Sequence, residues 1–127
     1  MITGVQDFYY NVEDMERAVQ FYAGVLGCQQ LFGSEYWTSL ELGGVRIGLH
    51  WTEGGPVPPT PRDSHGSRCG GTLTLSSDDV AADRARLEAG GATILGAQDA
   101  PWGELLTFED PEGNVLKLMK PKDQKPV

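Results

Sequence analysis

Hydrophobic and polar residues follow two kinds of spacing along this chain, one typical of strands and the other of helices. The order in which these spacings occur is repeated. Residues 2–10 mix β-branched, aromatic and polar side chains, which predicts a strand. Apolar residues then recur at helical spacing over residues 15–26, which predicts an amphipathic helix. An Asn or Asp within residues 11–14 can cap this helix, and Gly27 supplies its stop.

Three short segments rich in strand-forming residues follow the helix. They are residues 31–32, 36–42 and 45–51, and the turns between them are Gly33-Ser34 and Gly43-Gly44. The first part of the chain therefore has the predicted order β-α-β-β-β.

The second part of the chain repeats this order after a connection rich in Gly, Pro and Ser. Its predicted helix is Val80 to Ala89, capped within Ser77-Asp78-Asp79, so that Asp79 corresponds to Asp14 of the first part. Its predicted strands are residues 72–75, 92–95, 104–108 and 115–119. We predict a single domain over residues 1–127, with module one at 2–51, a linker at 52–69, module two at 70–120 and a frayed tail from Lys120.

Composition and charge narrow the classes of partner. The formal charge of −8 argues against nucleic acid and anionic membranes, because both require a basic patch, and it permits a cationic ligand. We find neither a membrane-length apolar stretch nor a basic leader at the N-terminus, so a cytoplasmic location is expected. Cys28 and Cys69 are far apart in sequence, which predicts free thiols.

Two motifs carry a resemblance to a known family. They are the segment Val12–Ala18 with Phe21-Tyr22 and Val25-Leu26-Gly27, and the turn Asp110-Pro111-Glu112-Gly113-Asn114. With the duplicated order of elements, they make the chain resemble the vicinal-oxygen-chelate superfamily of glyoxalases, bleomycin-resistance proteins and dioxygenases. The resemblance implies an α+β fold in which two tandem βαβββ modules form a curved mixed sheet cup, with a pocket often completed by a homodimer. A ferredoxin-like domain is the alternative fold.

The resemblance also implies where a metal would be bound in this chain. The corresponding positions are Asp7, Gly48, Thr72 and Lys117. A divalent catalytic site needs about three converging ligands, and this set offers one carboxylate, so we expect no metal cofactor. We hypothesise that an ion pair between Asp7 and Lys117 replaces the ion.

His50 leaves this conclusion open, because strand alternation places it on the same face as Gly48. A single strand histidine is either a hydrogen-bonded wall of a pocket or a metal ligand. His65 lies in the Pro- and Gly-rich connection, where we expect it to be solvated.

Aromatic residues on the predicted strands and turns favour a planar or cationic ligand, which they would hold by stacking and cation–π attraction. Trp37 and Trp51 flank two strands and fit a core role equally well, whereas Trp102 precedes a strand in a loop able to close over a ligand. The candidate ligand-binding residues are polar or aromatic, and they are Asp7, Tyr9, Trp37, His50, Thr72, Trp102, Glu104 and Lys117.

Three functions remain open from the sequence. The first is metal-free binding of a small aromatic or cationic molecule, as in the bleomycin-resistance-like members of the family, which would make the chain a non-enzyme. The alternative is a metal-dependent lyase, isomerase or dioxygenase of the same superfamily. The third is a packing or regulatory module. Acyl and phosphoryl transfer are disfavoured, because neither a GxSxG nor a GxxxxGK[ST] motif occurs.

Overall fold

The computed structural model describes residues 1–122 and divides the chain into two compact units. The first unit is Met1–Pro58, and the second begins at Pro59. The boundary lies inside the predicted linker at residues 52–69. Within the described residues, no helix is long and apolar enough to cross a membrane.

The first unit is a βαβββ module built on a four-stranded sheet. Its strands pair in the order β1-β4-β3-β2, with β1 parallel to β4 and the other pairs antiparallel. Its elements are β1 (Phe8–Val12), α1 (Met15–Val19) continued by π-helical turns (Gln20–Val25), β2 (Gln29–Gly33), β3 (Trp37–Leu42) and β4 (Val45–Trp51).

The second unit repeats this topology with its own sheet. Its strands pair in the order β5-β8-β7-β6, and β5 is parallel to β8. The two modules confirm the predicted α+β class and the duplicated βαβββ order. The elements are β5 (Leu73–Ser76), α2 (Val80–Ala89), β6 (Thr93–Ala100), β7 (Gly103–Glu109) and β8 (Val115–Pro121).

Corresponding aspartates begin the two helices. Asp14 Oδ1 accepts a hydrogen bond from the Arg17 backbone N–H, and Asp79 Oδ1 accepts one from Ala82, each at 3.0 Å. Each carboxylate satisfies a first-turn N–H group that has no partner within the helix. The predicted caps are therefore confirmed, while Asn11 belongs to β1.

The first helix does not keep the α-helical period that its sequence predicts. After Val19 the turns widen, and the Leu26 N–H bonds the Phe21 carbonyl five residues earlier, at 3.0 Å. Phe21 and Tyr22 are both buried there, with ring centroids 5.6 Å apart, and Tyr22 meets Tyr10 of β1. The side chains that join helix to sheet thus come from the widened turns.

Each unit buries one face of its sheet in a core of its own. In the first unit these residues alternate along the strands and meet the helix; they are Tyr10, Val12, Ala18, Phe21, Tyr22, Leu40, Ile47 and Leu49. In the second unit the corresponding residues are Leu87, Leu106, Phe108, Leu116 and Leu118. Because side chains alternate across a strand, the intervening positions project from the opposite face of each sheet.

Several boundaries differ from those predicted, most of all at β1, at β6 and in the C-terminal tail. β1 begins at Phe8, so residues 2–7 precede the sheet, while β6 extends to Ala100 instead of Leu95. Lys120 and Pro121 belong to β8 and are not frayed, and residues 123–127 of the predicted tail lie outside the described residues. β6 is longer because it stays paired with β7 along its whole length.

The buried Cys28 thiol gives a testable dependence of stability on pH. Burial, with a smaller contribution from the Glu41 carboxylate, raises the pKa of Cys28 from 9.0 to about 11. Between these values the unfolded chain loses this proton while the folded chain keeps it, so the free energy of unfolding falls as pH rises. Urea titrations of wild type and Cys28→Ala from about pH 8 to 11 should show a smaller fall for the variant. Cys69→Ala, which removes the other thiol, should fall as wild type does; identical slopes for all three proteins would contradict this assignment.

Candidate binding face of the first sheet

Five polar or aromatic residues and one glycine share one face of the first sheet, opposite the buried one. Register places Tyr9 beside Gly48, which lies beside Ser39, and in the next row Asn11 lies beside His50, which lies beside Trp37. We call this set, made of Tyr9, Asn11, Trp37, Ser39, Gly48 and His50, the aromatic face.

Three rings on the aromatic face contact one another. The Tyr9 centroid lies 5.5 Å from that of Trp37 and 6.2 Å from that of His50, both in edge-to-face geometry. The Trp37 and His50 rings are 6.4 Å apart and tilted by 55°. Tyr9 is 53% exposed, His50 is exposed and Trp37 is half-buried, so an external molecule can reach this aromatic surface.

Gly48 provides the space in which the Trp37 indole lies. A Cβ atom at position 48 would be 2.3 Å from indole Cζ2 and 2.4 Å from Cη2, so any other residue requires the ring to move. The indole Nε1 also donates a hydrogen bond of 2.9 Å to Ser39 Oγ, which helps to fix the ring. The aromatic face therefore depends on a glycine at one of the positions where the family resemblance implied a metal ligand.

His50 has a hydrogen-bond partner within this face. Its Nδ1 lies 3.0 Å from Asn11 Oδ1 on the neighbouring strand. Within residues 1–122, no three or more His, Cys, Asp or Glu side chains are grouped so that they could hold a metal ion. His50 is thus hydrogen-bonded through one ring nitrogen, and the choice between the two roles that the sequence left open for it stays a prediction.

The residues at the implied metal positions do not fit a divalent cation. Asp7 and Thr72 lie immediately before β1 and β5. The Trp37 indole covers Gly48. Lys117 carries an ammonium group, which is not a metal ligand. Asp7 and Lys117 belong to different units, and their pairing stays a prediction.

Trp51 lies on the opposite face of the sheet from Trp37. Its Nε1 donates a hydrogen bond of 2.9 Å to the Glu13 carbonyl, and its ring is 5.6 Å from Tyr36. It borders an open cavity of about 670 Å³ whose other walls are mainly charged residues at the start of α1. Trp51 is therefore separate from the aromatic face.

Trp102 and Glu104 belong to the second unit, together with Thr72 and Lys117. Trp102, 42% exposed, lies in a two-residue turn between β6 and β7, which remain paired as far as Ala100 and Gly103. The predicted loop able to close over a ligand is thus a tight hairpin. Glu104 pairs across the sheet with Lys120.

Tyr9, Trp37 and His50 were predicted from the sequence as site residues, whereas Asn11 and Ser39, which lie on the same face, were not. Strand alternation carried the signal, because Asn11 follows Tyr9 by two residues and Ser39 follows Trp37 by two. Their contacts with His50 and Trp37 depend on strand register.

Comparison with known proteins identifies the family of this two-module chain. Residues 4–118 match the model of the Glyoxalase/Bleomycin resistance protein/Dioxygenase superfamily. The chain belongs to that superfamily. No curated protein matches it.

Solved structures of this superfamily's fold resemble the chain over nearly its full length. TnmS3, an antibiotic binding protein from Streptomyces sp. CB03234, is 32% identical with a TM-score of 0.67, covering 95% of this chain and 98% of TnmS3. A glyoxylase/bleomycin resistance protein/dioxygenase domain from Frankia sp. EAN1pec is 23% identical with a TM-score of 0.73, covering 98% and 96%. The fosfomycin resistance protein FosX from Mesorhizobium loti is 17% identical with a TM-score of 0.68, covering 96% and 95%. The last two similarities show the fold alone.

Proposed function

We propose that this superfamily member binds and sequesters a small aromatic molecule, uncharged or cationic, on the aromatic face without a metal ion. The observation that carries the proposal is the exposed group of Tyr9, Trp37 and His50, whose rings contact one another. Exposed rings of this kind lose water and gain stacking contacts when a planar molecule covers them.

The net charge of the chain and the residues at the implied metal positions also support this proposal. The net charge of −8 favours a cationic or neutral ligand over an anion. At the positions where the family resemblance implied ligands, this chain has a covered glycine and a lysine, which supports binding without metal assistance. The likeness to TnmS3, an antibiotic binding protein, supports a sequestering role over a catalytic one. We also propose that the protein forms a homodimer and that the second copy completes the binding site.

Titration with planar aromatic compounds tests this function. Calorimetry and tryptophan fluorescence with a panel that includes naphthalene derivatives and N-methylacridinium should show saturable binding. Trp37→Leu should weaken binding about 5- to 30-fold, because loss of one stacked ring costs about 1–2 kcal/mol. Trp51→Leu is the matched control, since Trp51 lies on the opposite face of the same sheet.

Either of two results would reject the proposed function. One is the absence of saturable binding for every compound in the panel. The other is an equal loss of affinity in Trp37→Leu and Trp51→Leu, which would place the ligand elsewhere or reduce both effects to stability. Circular dichroism of each variant shows whether its fold is retained.

A further inference from the structure

We propose that His50 selects aromatic ligands that carry a hydroxyl group, by accepting a hydrogen bond from that group at Nε2. This inference rests on the proposed function and specifies its ligand class as phenol-like aromatics. Three observations support it: the hydrogen bond between His50 and Asn11, the exposure of the imidazole, and its position beside Tyr9 and Trp37.

The contact with Asn11 determines which ring nitrogen of neutral His50 carries the proton. The Asn11 atom in contact is Oδ1, a carbonyl oxygen that only accepts hydrogen bonds. His50 Nδ1 must therefore be the donor over this 3.0 Å distance. In a neutral imidazole the other nitrogen, Nε2, then has a free lone pair and acts as an acceptor.

The acceptor nitrogen is available to a ligand on the aromatic face. His50 is exposed, and within residues 1–122 its side chain has no hydrogen-bond partner besides Asn11. The imidazole plane is tilted by 55° from the Trp37 indole, so a molecule stacked on the indole meets the imidazole more by its edge than by its face. The lone pair of Nε2 lies in the plane of the imidazole ring, at its edge.

The acceptor nitrogen Nε2 distinguishes classes of aromatic ligand by whether they can donate a hydrogen bond to it. A phenolic O–H can donate to Nε2, whereas an aryl ether has no proton to donate and an aromatic carboxylate brings a second acceptor. The acidic chain adds general repulsion of carboxylates. A phenol and its methyl ether share the ring system that stacks, and the change of their relative affinity when Nε2 is removed reports the contribution of Nε2.

A matched pair of ligands tests the inference. Calorimetric titration should show 2-naphthol binding to wild type about fivefold more tightly than 2-methoxynaphthalene, since one hydrogen bond contributes about 1 kcal/mol. His50→Phe should bind both compounds with equal affinity, because Phe keeps a ring at this position but has no acceptor nitrogen. His65→Phe is the matched control and should keep the fivefold preference.

The variant Asn11→Leu tests whether the preference for 2-naphthol requires the hydrogen bond between His50 and Asn11 and not only the presence of His50. Without the Asn11 acceptor, Nδ1 is no longer held as the donor, so the preference for 2-naphthol should fall towards one although His50 remains. Equal binding of both naphthalenes to wild type, with saturable binding of each, would overturn the inference and leave the proposed function intact. A preference that persists in His50→Phe would also overturn it, and failure of both compounds to bind would reject the two proposals together.

Discussion

Gly48→Ala is expected to lower the free energy of unfolding by about 1–3 kcal/mol and to weaken aromatic ligand binding at least tenfold. The added methyl carbon would lie 2.3 Å from Trp37 Cζ2 and 3.0 Å from Tyr9 Cβ, so the indole must leave its place. Two of the three contacting rings on the aromatic face are thereby disturbed. Urea denaturation and calorimetric titration with 2-methoxynaphthalene measure the two effects.

Gly96→Ala is the matched control for this substitution. Gly96 is also a strand glycine, but a Cβ there meets nothing within 4 Å. Its stability should change by less than about 0.5 kcal/mol. The double variant Gly48→Ala with Trp37→Leu should be less destabilised than the sum of the single variants, because the clash requires both groups. Additive losses would contradict a direct clash between position 48 and the indole.

Asp110→Ala is expected to destabilise the protein by about 3 kcal/mol, because it removes a buried acceptor from the turn before β8. Asp110 is 3% exposed, and its Oδ1 accepts hydrogen bonds from the Glu112 and Asn114 backbone N–H groups at 2.8 and 2.9 Å. Its Oδ2 accepts one from Asn114 Nδ2 at 3.2 Å. Alanine leaves these donors without the carboxylate, and urea denaturation measures the loss.

Asp63→Ala is a control with nearly the same hydrogen bonds in an exposed loop. Asp63 Oδ1 accepts from the backbone N–H groups of His65 and Ser67 at 2.8 and 3.0 Å, but the side chain is exposed. Water can replace that carboxylate, so the loss should stay below about 1 kcal/mol. Equal losses in the two variants would show that burial is not what makes Asp110 important.

Local sequence signals predicted the capped helices and the turn before β8 because short-range physics forms them. Asp14 and Asp79 satisfy N–H groups three residues away, and Asp110 does the same within its turn. Gly113 has φ +88°, which glycine adopts without steric cost. These features require no distant partner, so the residues themselves specify them.

Strand limits and the widened end of the first helix were decided by tertiary contacts. Residues 2–7 resemble a strand in composition, yet the parallel pairing with β4 begins at Phe8. β6 is longer than its hydrophobic pattern because β7 provides pairing partners as far as Ala100. The π-helical turns place Phe21 and Tyr22 together in the core. Tertiary packing requires this arrangement, and helix propensity alone does not predict it.

The sequence by itself determined the family, the duplicated βαβββ order and the presence of Tyr9, Trp37 and His50 on strands, because periodicity and turn residues are local properties. Only the tertiary structure decided that these three rings meet, that Gly48 makes room for the indole, and that Asn11 orients His50. Those contacts depend on register between β1 and β4, as in the pairing of Tyr9 with Gly48, and between the hairpin strands β3 and β4. Register is set by the pairing of whole strands and their shared core, so no single segment encodes it.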